Sequence, residues 1–190
     1  MNSRKDKKRL RVSKRILRAA RKIVIENGFD RVSLRAIARR IDYSPAALYE
    51  YYPGGIEEIL DAVCEDIEGE MATALSKALE NSAAHSVLVD LGMAYIQYAL
   101  THRDDFRLLY LRPLSPRARQ VVEIFQHQLS KAAGLHAVFP SFDFEEDEMA
   151  HAMWATAHGL VMLSLTRDAY VNDLGVHREI LDRMVIGLRG

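Results

Sequence analysis

The 190-residue chain balances 26 Lys and Arg against 26 Asp and Glu, which excludes a uniformly basic or acidic protein. Its single cysteine, Cys64, excludes an intramolecular disulfide and a cysteine-rich zinc site. The neutrality hides a split: residues 1–50 hold 15 basic and 5 acidic side chains, and the remainder is negative by the same margin of 10. Cations gathered at one end suit a polyanion there, bound through counterion release.

Apolar spacing is near 3.6 throughout, and no alternating run is long enough for a half-buried strand. A basic arm opens the chain, and a first helix from about Leu10 to Asn27 aligns Ile16, Ala20, Ile23 and Val24 before stopping at Gly28. Ser33 can cap a second helix carrying Leu34, Ile37, Ala38 and Ile41. Ser44 can cap a third, with Pro45 at its first position, where the missing N–H costs nothing. Leu48 and Tyr52 would face inward from that third helix.

After Pro53-Gly54-Gly55 a long helix from about Ile56 to Glu80 carries an apolar stripe and would span roughly 37 Å, enough to join two units. Helices are expected near Ser86–Thr101, Asp104–Leu111 and Arg117–Ala133, with Pro113, Pro116 and Pro140 marking the joins. The last two fall near Glu145–Arg167 and Val176–Leu188. The predicted architecture is all-α with about nine helices: a three-helix N-terminal helix-turn-helix domain at 10–55, preceded by a basic arm at 1–9, and a C-terminal helical bundle at 56–190.

Two short helices around a tight turn allow the front of the second to enter a DNA major groove while the first braces on the backbone. Free N–H groups after Ser33 and Ser44 and the charge of Arg35 and Arg39 suit phosphates. Pro45, Ala46, Ala47, Tyr49, Glu50 and Tyr51 would form the reading surface. The small Ala46 and Ala47 allow close approach to thymine methyls, and Tyr49 and Tyr51 can donate hydroxyls to phosphates. Glu50 is expected to pair with a neighbouring arginine. The expected DNA-binding residues are therefore Ser33, Arg35, Ser44, Pro45, Ala46, Ala47, Tyr49 and Tyr51. Capping alone also explains the two serines, and core packing explains Tyr52.

No Gly-rich phosphate loop, nucleophile elbow or metal-ligand spacing is visible, so neither an enzyme nor a cofactor or metal is expected. His85, His102, His127, His136 and His151 form no recognisable ligand set. No apolar run approaches the ~20 residues that cross a bilayer, and no apolar core follows the basic start. A soluble cytoplasmic protein without membrane partners is expected. A helical adaptor whose DNA-binding head is vestigial is the alternative to a DNA-binding regulator.

In order and at matching spacing, Ile16-Leu17-x-Ala19-Ala20, Asn27-Gly28-Phe29, Ser33-Leu34-Arg35-x-Ile37-Ala38, Ser44 and Leu48-Tyr49-x-Tyr51-Tyr52 resemble the tetracycline-repressor (TetR) family of transcriptional regulators. The chain departs from that pattern with Asp42 where the turn usually has Gly, and with Tyr51-Tyr52 for His-Phe. Gly54-Gly55-Ile56 stands where the family places a lysine. Trp154-x-x-x-His158-Gly159 resembles the Trp-His-Gly signature of one subgroup of the family's C-terminal domains, Gly159 allowing another helix to approach.

The resemblance implies a homodimer through the last two helices, a palindromic double-stranded operator, and a repressor released by a small-molecule effector. Apolar and aromatic side chains that could line the effector pocket are Met93, Tyr95, Tyr98, Phe106, Tyr110, Phe125, Trp154, His158 and Met162; core packing explains any one of them equally well.

Overall fold

The computed structural model describes residues 4–28, 31–80, 82, 86–110, 146–166 and 173–187. These residues form eight helices and no strand. They are α1 (Arg4–Asn27), α2 (Leu34–Arg40), α3 (Pro45–Leu48), α4 (Gly55–Glu80), α5 (Val87–Thr101), α6 (Arg103–Tyr110), α7 (Glu146–Thr166) and α8 (Leu174–Gly187). The helix expected near 117–133, together with Phe125, His127 and His136, lies outside the described residues.

The chain divides into two compact units, one drawn from residues 1–68 and 107–119, the other from 69–106 and 120–190. In the first, α1 buries Val12, Ile16, Ala19, Ala20, Ile23 and Val24 along one face. α2 packs on α1 and α3 on α2, adding Ile37, Ala38, Ile41, Leu48 and Tyr52 to the core. Each large aliphatic side chain among them contributes roughly 1.5–3 kcal/mol on leaving water. A hierarchy of local signals positions these helices. Gly28 takes φ 80° and its N–H donates to the Val24 carbonyl at 2.8 Å, closing α1.

The structure corrects two expectations here. The basic arm does not precede the first helix but belongs to it, α1 being helical from Arg4. The stretch Arg4–Arg9 holds good helix formers and no Gly or Pro. The reading helix is also shorter than Ser44–Tyr52: regular α-helix covers Pro45–Leu48, and turn hydrogen bonds from Tyr49, Tyr51 and Tyr52 continue it. Pro53 disfavours the helical conformation at the residue before it, so the helix cannot propagate through Tyr52.

In the second unit α5 packs against α7 and α8, and α8 against α7. Leu88, Ile96, Ala99, Ala157, Val161 and Leu181 fill the space between them. Gly92 allows this close approach: a Cβ there would lie 2.8 Å from Leu181 Cδ1 and 2.8 Å from Met153 Sδ. A Cβ at Gly159 would meet nothing within 4 Å among the described residues. Val176 and Ile186 of α8 are exposed, while Leu181 and Val185 are buried.

Candidate nucleic-acid interface

Both short helices start as their sequences require. Ser33 is extended and its Oγ accepts the Ala36 N–H at 3.2 Å. Ser44 Oγ accepts the Ala47 N–H at 3.2 Å, with Pro45 next in line. Between them Asp42 adopts the left-handed conformation at φ 57°, and the Tyr43 N–H donates back to the Ala38 carbonyl at 2.9 Å. Gly normally relieves that conformation; Asp is among the few other residues that tolerate it.

Side chains from α1 hold this turn. Arg15 Nη2 donates to the Ile41 carbonyl at 2.9 Å, and its guanidinium lies 5.7 Å from the Tyr43 ring centre. Arg9 places its guanidinium 5.7 Å from the Tyr51 ring centre. Cations over aromatic faces contribute about 0.5–1 kcal/mol at exposed sites. Buried Tyr52 hydrogen-bonds Ser13 and has its phenol pushed up, chiefly by burial. Sequence reasoning missed Arg9, Arg15 and Tyr43 as positioning groups. The signal available was only that cations and tyrosines were abundant nearby.

Of the expected reading residues, Ser33, Arg35, Ser44, Pro45, Ala46 and Tyr49 are exposed, and Ala47 and Tyr51 are half-buried. Tyr49 sits over the start of α4, where Gly55 has φ 70° and a Cβ would lie 3.4 Å from Tyr49 Cε1. Next to it Glu58 accepts the Gly54 N–H at 2.6 Å, in the stretch where a lysine would be usual. Arg31, Ser33, Arg35, Arg39 and Arg40 come together around an open cleft of about 840 Å³, with Ile23, Asn27 and Ala36. Glu26 receives two hydrogen bonds from Arg40, at 2.8 and 3.1 Å, and these hold its carboxyl below the usual carboxylate range. The cleft thus keeps a surplus of positive charge.

In the second unit four of the expected effector residues converge. Trp154 and His158, one turn apart on α7, stack with ring centres 4.9 Å apart. Tyr95 Oη is 2.9 Å from His158 Nδ1 and its ring meets Phe106 edge-on at 5.6 Å. Burial pushes the His158 pKa down, which keeps its ring neutral. Tyr95 and Phe106 are core, whereas Trp154 and His158 are half-buried. Met162, half-buried, is the next turn along α7. Tyr98 instead stacks on His102 at 4.3 Å. Tyr110 belongs to the other compact unit. Among the described residues no three His, Cys, Asp or Glu side chains could together hold a metal ion, and no helix is long and apolar enough to cross a membrane.

A capped helix pair around a left-handed turn, braced by α1 and flanked by arginines, defines a helix-turn-helix DNA-binding protein. Residues 16–63 match the bacterial regulatory proteins of the tetR family, and residues 88–188 match the tetracyclin repressor-like C-terminal domain. The chain belongs to the TetR family of transcriptional regulators.

Solved structures repeat the fold. A tetR-family regulatory protein from Rhodococcus RHA1 is 24% identical with a TM-score of 0.65, covering 93% of this chain and 95% of its own. PfmR, a TetR-family regulator from Thermus thermophilus, is 23% identical with a TM-score of 0.63, over 93% and 98%. Salmonella enterica GusR is 22% identical with a TM-score of 0.67, over 93% and 96%. A search of curated proteins returned no match.

Proposed function

We propose that the protein is a cytoplasmic transcriptional repressor that acts by binding rather than catalysis. Residues 10–55 read a palindromic operator and residues 56–190 dimerise and take a small-molecule effector. The observation that carries this reading is the exposed front of α3: Ser44, Pro45 and Ala46 stand clear of the core while Leu48 behind them is fully buried. A surface of small side chains on a rigidly seated helix suits close approach to base edges. Arg31, Arg35 and Arg39 supply phosphate-binding charge beside it.

In this reading α7 and α8 form the interface between two copies, so that two heads meet half-sites about 34–36 Å, or a multiple, apart. The Trp154–His158–Tyr95–Phe106 cluster is the centre of the effector site. An effector lowers operator affinity only to the extent that it prefers one setting of the bundle over another.

Selection of bound duplexes from random DNA tests the reading. Enrichment of an inverted repeat is expected, with Ala46 or Ala47 substitutions changing the preferred bases and Arg35→Ala weakening all sites alike. Recovery of no enriched sequence, or of an asymmetric single site, would overturn it.

A further inference from the structure

α1 presents two distinct sets of cations. Arg9 and Arg15 turn toward the helix-turn-helix and rest against Tyr51 and Tyr43. Lys7, Arg11, Lys14, Arg18 and Lys22 do not. Their spacing of three and four residues stacks them in one row along the helix. The row runs for roughly 22 Å at about 1.5 Å per residue. With 3.6 residues to a turn, it points roughly 130° away from the buried line Val12, Ile16, Ala19 and Ile23, the face on which α2 packs. All five side chains are exposed. Lys22 is 3.7 Å from Glu26. Among the described residues the other four have no ion pair or hydrogen bond. No acidic residue interrupts the row.

We infer that this ridge is a second duplex-binding surface, one that grips phosphates without reading sequence and holds a further DNA segment while α3 occupies the operator. An evenly spaced line of charge complements a uniformly charged rod, and DNA carries one phosphate per ~1.7 Å of axis. A protein partner would need an apolar centre to its interface. The ridge has no apolar centre: its exposed large apolar side chains are Leu10 at its margin and Ile25 beyond its Lys22 end. The orientation matters as much as the charge: the row lies on a different side of α1 from the face that α2 covers. This inference goes beyond operator recognition and uses side chains of α1 rather than those of α2 and α3 assigned to the operator.

The experiment tethers the full-length protein by its carboxyl terminus and saturates it with an unlabelled duplex recovered by selection. A labelled duplex of unrelated sequence is then offered in dilute salt. Wild type should capture the second duplex. The variant Lys7→Gln/Arg11→Gln/Lys14→Gln/Arg18→Gln should lose capture at least about tenfold and hold the first duplex within about twofold. The salt dependence of capture should weaken by a slope of about 3.6, from four lost contacts at ~0.9 each.

If selection yields no site, the labelled duplex is offered alone: undiminished capture by the ridge variant still overturns the inference, and its loss supports the ridge as a phosphate-gripping surface. Arg35→Ala should leave capture of the second duplex unchanged. Equal loss of both duplexes in the ridge variant, or undiminished capture by it, would overturn the inference. So would salt-sensitive self-association that the variant abolishes without any DNA capture, since it would assign the ridge to a second copy of the acidic remainder. Unchanged far-ultraviolet circular dichroism and thermal midpoint exclude misfolding of the variant.

Discussion

Arg15 on α1 donates to the carbonyl of Ile41 at 2.9 Å, 26 residues away, and so ties the first helix to the turn between α2 and α3. Ile41 is the residue at which α2 ends, and its carbonyl would otherwise stand open beside Asp42. A hydrogen bond from a charged donor, partly exposed, contributes about 1–2 kcal/mol. Arg15→Ala is expected to lower head stability by that amount in urea unfolding. Operator affinity should fall with it, while the slope of log affinity against log salt stays put. A slope reduced by about 0.9 would mean that Arg15 touches a phosphate instead. Arg15→Lys should rescue little, since an ammonium lacks the planar fork that serves the carbonyl and the Tyr43 ring together.

Gly92 marks the tightest approach in the second unit. Replacing it with Ala improves helix propensity by roughly 1 kcal/mol. The new methyl would press on Leu181 and Met153, both buried, and overpacking of this kind costs about 1–3 kcal/mol. A net loss near ~1 kcal/mol is expected for Gly92→Ala and a larger one for Gly92→Val. Combining Gly92→Ala with Met153→Ala should recover part of the loss, giving a coupling energy in a double-mutant cycle.

Glu68 is buried in α4, and among the described residues neither carboxyl oxygen has a hydrogen-bond partner. Burial first, and the nearby Glu65 second, push its pKa from 4.5 up to about 7. A carboxyl with a raised folded pKa is tolerated while protonated, so its cost is absent below pH 4.5. The cost grows as pH rises from 4.5 to about 7, where the unfolded chain releases the proton and the folded chain keeps it, and is constant above that. The full penalty is about 3 kcal/mol. Glu68→Gln should therefore stabilise the protein at about pH 8 by a few kcal/mol and leave it unchanged at about pH 4, as read from denaturant midpoints. An equal effect at both pH values would show that ionisation plays no part.

Trp154 is the one tryptophan of the chain and stacks on His158, so its fluorescence reports on that ring. An imidazolium quenches a neighbouring indole, and burial disfavours the imidazolium. Emission should stay constant through pH 6.5 and fall only at lower pH, with a midpoint absent from His158→Gln. The linkage has the matching sign. Stability from neutral His158 is complete above pH 6.5 and is lost as acid protonates the unfolded chain first. A midpoint at or above 6.5 would contradict the assigned environment.

Local features of the fold were legible in the sequence. Ser33 and Ser44 cap the helices they precede because capping needs only residues three apart, and Gly28 takes positive φ for an equally local reason. What joins distant segments was not legible. Arg9 meets Tyr51 and Arg15 meets Ile41 across gaps that composition cannot bridge. Likewise a glycine on a helix suggests a crossing without saying which one is crossed: the close approach found among the described residues falls at Gly92. Tyr95 and Tyr98 looked alike as pocket candidates, one turn apart on α5. Only packing sends the first to His158 and the second to His102.

The left-handed Asp42 has a practical corollary for anyone wishing to transplant this motif. An L-residue with a side chain resists that conformation by roughly 1–2 kcal/mol, and the cost is met here by neighbours supplied from α1. A peptide cut from residues 31–52 would lose those neighbours and relax out of shape. Grafting the motif onto a foreign scaffold therefore means carrying Arg15 and the helix that bears it, or installing glycine at position 42.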